Sequence, residues 1–356
     1  MLEQSYLDNR SALTEVDKEN LFTILQQFPD QLETATKEFA QLVLPAAWGQ
    51  VDRVIFCGMG GSGIGGEIAS DLPANLIRKS LFVVRDYNLP GFVDKNSLVV
   101  IVTYSGETEE TLACLSEALT KNCQVLIVTS DKVLAEKEYT DKVLVYKFNY
   151  QAPPRDSLGY LLAPLIKVLE LVGVLNTKET DIGSAITLLR DLIPTWLPTT
   201  ITDNNKAKTL AYSVYDKVPV IFSSGILRSV ARRWKCQFNE HSKTASFFEV
   251  FPELNHNTVE GFQFPSRLKD DIFVILLESS FDHPEVCRRI KLFKEFLQDN
   301  HIQYEVITSV GQDLWSQKFS SLALGDWVSY YLALLNRVNP TAIPAISGLK
   351  KKLRSK

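Results

Sequence analysis

The sequence predicts an α/β protein of two domains, each a parallel β-sheet with helices on both faces in a three-layer αβα arrangement. Three observations predict it. Near-continuous apolar runs of strand length alternate with helical patterns, as strands covered on both faces do. The same rhythm returns about 165 residues later, as an internal repeat. At 356 residues, the chain fits two moderate domains better than one.

The elements follow in order. From about Thr14 to Leu44, the residues Val16, Leu21, Ile24, Leu25, Phe28, Leu32, Ala35, Phe39 and Leu42 recur at helical spacing, which predicts two helices meeting near Pro29. RVIFCG then reads as a strand ending in glycine, GSGIGGEIASDL as a helix, LFVVRD as a second strand and SLVVIVTYSG as a third. ETEETLACLSEALTK has an acidic first turn and a terminal lysine, the marks of a helix, and CQVLIVTS is the next strand. A helical connector covers about Asp156 to Leu197. After it, VPVIFSSG with ILRSVARRWKCQ, DIFVILLESS with HPEVCRRIKLFKEFLQ, and IQYEVITS match VIFCGMGGSG, VVIVTYSG with its helix, and CQVLIVTS. The second copy lacks the glycine cluster and the T-Y-S-G turn. A last apolar helix, Ser320 to Leu335, precedes N-P-T and a tail containing Lys350, Lys351, Lys352, Arg354 and Lys356.

Composition excludes several classes. Apolar residues make up 45% and charged residues 22%, ordinary values for a globular chain. The formal net charge is -4 and basic residues are scattered outside the tail, so no nucleic-acid partner is expected. Apolar runs such as Val99 to Val102 are far below membrane-spanning length, and MLEQSYLDNRSALTEVDKEN has no basic segment followed by an apolar one. The expectation is a cytoplasmic protein without a membrane partner. The five cysteines (Cys57, Cys114, Cys123, Cys236, Cys287) include no C-x-x-C pair, and the four histidines (His241, His256, His283, His301) form no H-E-x-x-H. Neither a disulfide framework nor a metal is expected.

Two loops carry the chemistry. GMGGSGIGG, Gly58 to Gly66, lies where a strand gives way to a helix, and free amides there suit an anion such as phosphate. Gly58, Gly60 and Gly63 also satisfy G-x-G-x-x-G, leaving open a dinucleotide fold with Asp86 on the ribose, or a tight turn with no ligand. The Ser62 hydroxyl adds a phosphate donor. Thr103 to Thr108 follow the third strand and place hydroxyls at the carboxyl edge of the sheet, although a hydroxyl N-cap backed by Glu109 and Glu110 would read the same way. Gly61, Ser62, Thr103, Ser105 and Thr108 are the candidate phosphate ligands.

These residues carry a resemblance. GMGGSGIGGE and TYSGETEETL resemble the sugar isomerase (SIS) domain family. APPRDSLGYLLAPL, KCQFNEHSK, FPELNHN and the final DWVSYYLALL, N-P-T and I-x-x-L-K are similar to the bifunctional phosphoglucose/phosphomannose isomerases within it. The resemblance covers most of the chain. It implies two SIS-type domains, residues 1-152 with the N-terminal helices and phosphate loops, and 153-356 with the connector and the second SIS domain. It further implies an aldose-ketose isomerase that converts glucose 6-phosphate, and mannose 6-phosphate, to fructose 6-phosphate through a cis-enediolate, without metal or cofactor.

The resemblance assigns roles as well. Glu240 is selected as the base that carries a proton between C1 and C2, a task for a carboxylate tuned by partial burial. His256 is selected for ring opening, which needs a group titrating near neutrality, with Asn255 and Asn257 flanking its ring. Arg155 is the cation for the enediolate, and Lys350 the C-terminal lysine that assists ring opening, with Lys351 and Lys352 beside it. His241 is the weaker histidine. A homodimer is implied, with His256 entering the neighbouring subunit's site. The sequence departs from the family pattern at Thr103 (usually serine), Glu107 (usually asparagine) and Thr258 (usually glutamate), and Glu107 brings a negative charge to a phosphate loop. A non-catalytic sugar-phosphate-binding SIS protein and an NAD(P)-dependent dehydrogenase are the alternative readings.

Overall fold

Apolar on both faces, Arg53–Cys57 forms the first strand, β1, of a parallel sheet in the computed structural model, which describes residues 6–354. Residues 1–5, at the head of the expected first domain, and Lys356 of the basic tail lie outside the described residues. The sheet continues through β2 (Ser80–Val84), β3 (Ser97–Thr103), β4 (Gln124–Thr129) and β5 (Val143–Lys147) in the order β2-β1-β3-β4-β5. Each neighbouring pair is parallel. β3 and β4 are buried throughout, as central strands under helices must be. Val99, Ile101, Val125 and Ile127 share one core with Cys114 and Leu115 of the Glu109–Thr120 helix.

A second parallel sheet holds β6 (Val218–Ser223), β7 (Phe247–Val250), β8 (Ile272–Glu278) and β9 (Tyr304–Thr308) in the order β7-β6-β8-β9. The order is that of the first sheet without its last strand, so the repeat read in the sequence is a repeat of topology. Its core joins Phe222, Val274 and Leu276 to Phe293 and Leu297 of the Pro284–Asp299 helix. β5 and β7 have no counterpart in the sequence reading. They are short, half-buried edge strands.

Two compact units emerge. One comprises Gln27–Thr187 with Asp313–Ser316 and holds the five-stranded sheet; the other comprises Met1–Gln26, Leu188–Gln312 and Gln317–Lys356 and holds the four-stranded sheet. The chain position 152 falls inside the first of these, because the connector helix Leu158–Leu171 packs on the Phe28–Phe39 and Gly60–Ser70 helices. That packing is close: a Cβ on Gly159 would sit 2.4 Å from the Gln31 Cβ, and the Gln31 amide donates to the Asp156 carbonyl while accepting from the Gly159 N–H. The N-terminal stretch forms three helices, Arg10–Val16, Leu21–Gln26 and Phe28–Phe39, where two were expected. Pro29 sits in the first turn of the last, where its missing N–H breaks no helical bond. Among the described residues, no helix is long and apolar enough to cross a membrane.

Candidate active site

In the first sheet, chain progression reverses between β1 and β3, and a ligand crevice forms at such a switch point beyond the carboxyl ends of the strands. Both loops singled out in the sequence leave the sheet there. After β1 the chain turns sharply at Gly60, which holds φ +51°, a conformation that favours glycine, and enters the Gly60–Ser70 helix. The amides of Gly60 and Gly61 belong to the first helical turn, which lacks intrahelical acceptors and carries the positive end of the dipole. A Cβ on Gly60 would meet nothing within 4 Å.

Gly61 is glycine for a different reason. A Cβ there would lie 2.5 Å from the Arg155 N and 2.6 Å from its Cα, so the loop and the Arg155 backbone touch. Arg155 is 3% exposed, in the short 3-10 turn Pro154–Asp156, and its Nε stands 3.4 Å from the Asp156 carboxylate. The structure thus brings one proposed catalytic residue against the glycine loop.

Ser62 joins the two loops. Its Oγ accepts the Tyr104 N–H at 3.3 Å, which leaves the hydroxyl hydrogen for a ligand oxygen. Thr103, 1% exposed, accepts the Gly106 N–H through Oγ1 at 3.2 Å, and Ser105 Oγ accepts the Glu107 N–H at 3.3 Å. Both hydroxyls shape the turn as acceptors and keep a donor. Thr108 is the N-cap of the Glu109–Thr120 helix, yet its side chain makes no capping bond, so the N-cap alternative does not account for its hydroxyl. Glu107 is exposed at the surface. Tyr104 has a separate use: its hydroxyl donates to the Tyr150 carbonyl at 2.7 Å and accepts the Ala152 N–H at 3.3 Å.

Sequence reasoning missed Arg85. Its Nε lies 2.6 Å from Glu67 Oε1, and a Cβ on Gly63 would come within 3.0 Å of its NH1, so a cation flanks the glycine loop. The signal was a basic residue immediately past the carboxyl end of β2. Neighbouring Asp86, weighed for a ribose, is exposed and accepts the Tyr87 N–H.

The other unit holds Glu240, His256 and Lys350. Glu240 ends the Arg228–Glu240 helix and is half-buried, and its carbonyl accepts from the Lys243 ammonium at 2.8 Å. That helix is fixed by buried polar contacts: the Arg233 guanidinium forks onto Asp326 at 3.0 and 2.7 Å, and His241 Nδ1 lies 2.9 Å from Ser329 Oγ. His241 is fully buried, which explains its presence as packing. Asp326 and Ser329 belong to the DWVSYYLALL stretch, so two of the motifs behind the resemblance are each other's partners. His256 ends the short turn Glu253–His256 and is exposed. Asn257 gives its amide to Glu253 and accepts from Thr258, so it is engaged elsewhere and does not orient the ring as expected. Lys350, Lys351 and Lys352 are all exposed on the Pro344–Arg354 helix.

The five cysteines are free, with Cys57, Cys114 and Cys123 in the first core. Among the described residues, no cluster of three or more metal-ligating side chains occurs.

Comparison with known proteins places this geometry among relatives. Residues 203–353 match the family model described as the bacterial phospho-glucose isomerase C-terminal SIS domain. The bifunctional phosphoglucose/phosphomannose isomerase of Caldicellulosiruptor bescii is 31% identical over 334 residues, covering 94% of this chain and 98% of the relative. Its namesake from Thermoplasma acidophilum is 34% identical over 307 residues, covering 86% and 91%. In fold, the chain is similar to a glucose-6-phosphate isomerase like protein from Thermus thermophilus, with TM-score 0.61, 18% identity and 98% of both chains covered.

Proposed function

Since this chain belongs to the bifunctional phosphoglucose/phosphomannose isomerase family, we propose that it interconverts glucose 6-phosphate and mannose 6-phosphate with fructose 6-phosphate. The observation that supports the reading best is the crevice between β1 and β3. There, the Gly60 and Gly61 amides, three side-chain hydroxyls with a donor to give (Ser62, Thr103, Ser105) and the Thr108 side chain surround the switch point, with Arg155 against the glycine loop. Such donors suit the two negative charges of a phosphate ester.

The chemistry then runs on this chain's own groups. His256 protonates the ring oxygen while the C1 hydroxyl loses its proton, and the sugar opens to the aldehyde; Lys350 assists. Glu240 removes the C2 proton, and the electron pair moves into a cis-enediolate whose oxygens carry the charge. Arg155 stabilises that charge, because a guanidinium stays protonated at every working pH. The hydroxyl proton passes from O2 to O1, Glu240 returns the carbon-bound proton to C1, and fructose 6-phosphate results. Rotation about C2–C3 before reprotonation at C2 yields either epimer, since the enediolate has no stereochemistry at C2. No step calls on a metal. Ring opening uses a histidine from a second copy of the chain, so the active species is a cytoplasmic homodimer.

Glu240→Gln tests the base. Turnover should fall by about 100- to 10,000-fold, the range for loss of a general base, and tritium exchange at C2 should vanish with it. Near wild-type turnover with exchange intact would overturn the assignment.

A further inference from the structure

The turns after β6 and β8 keep the spacing of the turns after β1 and β3. Cys57 pairs with Ile101, and Phe222 with Leu276. Counting on from those pairs, the left-handed glycine comes at the same place in both, Gly60 at φ +51° and Gly225 at φ +49°. The N-cap of the following helix also coincides, Thr108 in one and His283 in the other. On this register Ser279 corresponds to Tyr104, and Asp282 to Glu107.

The two acidic residues behave oppositely. Glu107 stays at the surface. Asp282 folds back: its Oδ1 accepts from the Ser224 hydroxyl at 2.5 Å, and its Oδ2 accepts the Ser279 N–H at 3.0 Å. Its Oδ1 also lies 3.1 Å from where a Cβ on Gly225 would be, over the very turn that is open at Gly60. Both donors are buried, Ser224 to 1% exposure and Ser279 to 6%. A carboxylate held by a turn amide and a serine hydroxyl, beside a left-handed glycine and between two helix starts, engages donors of the kind that bind a phosphate ester.

We propose that Asp282 is an internal substitute for phosphate that closes the second crevice, so that each chain holds a single sugar phosphate, in the first crevice. The inference rests on the reading of the first crevice as the phosphate site. It also accounts for the lost glycine cluster: with a carboxylate supplied by the chain, a turn shaped for an outside anion has no further use.

Amide resonances resolve the two crevices separately in protein labelled with 15N-serine and 15N-tyrosine and titrated with inorganic phosphate. In the wild type, the Tyr104 amide should shift and the Ser279 amide should not. In Asp282→Ser, which removes the carboxylate and leaves a small polar side chain, Ser279 should shift as well, and bound phosphate per chain should double. Asp282→Asn, which keeps the filling group, should leave the crevice shut. A Ser279 shift in the wild type, or none in Asp282→Ser at phosphate levels that saturate the variant's Tyr104 site, overturns the proposal. Should Tyr104 fail to respond in any of the proteins, the first-crevice reading falls, while a Ser279 response to phosphate confined to Asp282→Ser still upholds the closed second crevice and its absence still refutes it. Isomerase turnover in both variants should stay within about twofold of the wild type, because neither touches the groups assigned to the reaction.

Discussion

The turn between β1 and β3 and the turn between β6 and β8 share a strand register, a left-handed glycine and a following helix, yet only the first is open above that glycine. In the second, Asp282 takes the hydroxyl of Ser224 and the N–H of Ser279. The difference teaches that a phosphate-binding fold is not by itself a phosphate-binding site. Side chains at a few turn positions decide whether the backbone donors serve a ligand or the chain.

Changes at the glycine turns test this contrast most strongly. Gly61→Ala forces a methyl group to within 2.5 Å of the Arg155 backbone, so either the loop or the arginine must move. Since a displacement of about 1 Å at a positioning group costs on the order of 100-fold, kcat/KM for glucose 6-phosphate should drop at least that far. Steady-state kinetics with a wild-type-like melting curve as control would check it, and unchanged kinetics would break the link between the glycine loop and Arg155.

Ser62→Ala should act next. Removing a hydrogen bond to a charged phosphate costs about 1.5–3 kcal/mol, which would appear mainly as a rise in KM for the sugar phosphate. A kcat fall with KM constant would place Ser62 in the chemical step instead.

The corresponding change in the second crevice should spare activity. Gly225→Ala must adopt φ +49° beside Asp282, at a cost of roughly 1–2 kcal/mol in folding stability. Denaturant unfolding measures that loss, and kcat/KM should hold within about twofold. A large kinetic defect would mean that the second crevice takes part in catalysis.

The smallest expected effect concerns pH. Burial pushes the Asp282 carboxyl above its ordinary range, against the lowering influence of Ser224 and Ser279. An acid whose folded-state pKa is raised contributes stability that is present below its unfolded value and is lost as pH rises through the folded value. The melting temperature of Asp282→Asn relative to the wild type should therefore climb as pH rises from about 3.5 through the folded pKa, and then level off. A gap that narrows over that interval would show a carboxylate stabilised where it sits.

Much of this was legible in the sequence, and the limits have physical causes. The strand-to-glycine junctions at Cys57 and Thr103 stood out because central parallel strands are apolar throughout and end in small or hydroxyl residues. The repeat was visible for the same reason. β5 and β7 were not, because each is a short run of four or five residues whose pairing at a sheet edge is set by the strand beside it. The place of Leu158–Leu171 was hidden too: an all-round apolar helix must be buried, but its sequence does not say against which sheet. Arg155 was found by motif, whereas Arg85 escaped because a single basic residue after a strand is common until the loop it flanks is known. Asp282 was invisible as a partner of Ser224, since nothing local shows that its carboxylate turns back rather than out.

Tyr104 carries a last consequence. Its hydroxyl clasps the chain at Tyr150 and Ala152, just ahead of Arg155, while its own amide is held by Ser62. The second loop, the first loop and the segment leading to the arginine are therefore strung on one residue, through its amide and its hydroxyl, and drift at any of them in a descendant lineage would be felt by the other two. Replacements at positions 62 and 104 should be inherited as a set, while the side chains at 150 and 152, where Tyr104 clasps only the main chain, are free of this constraint.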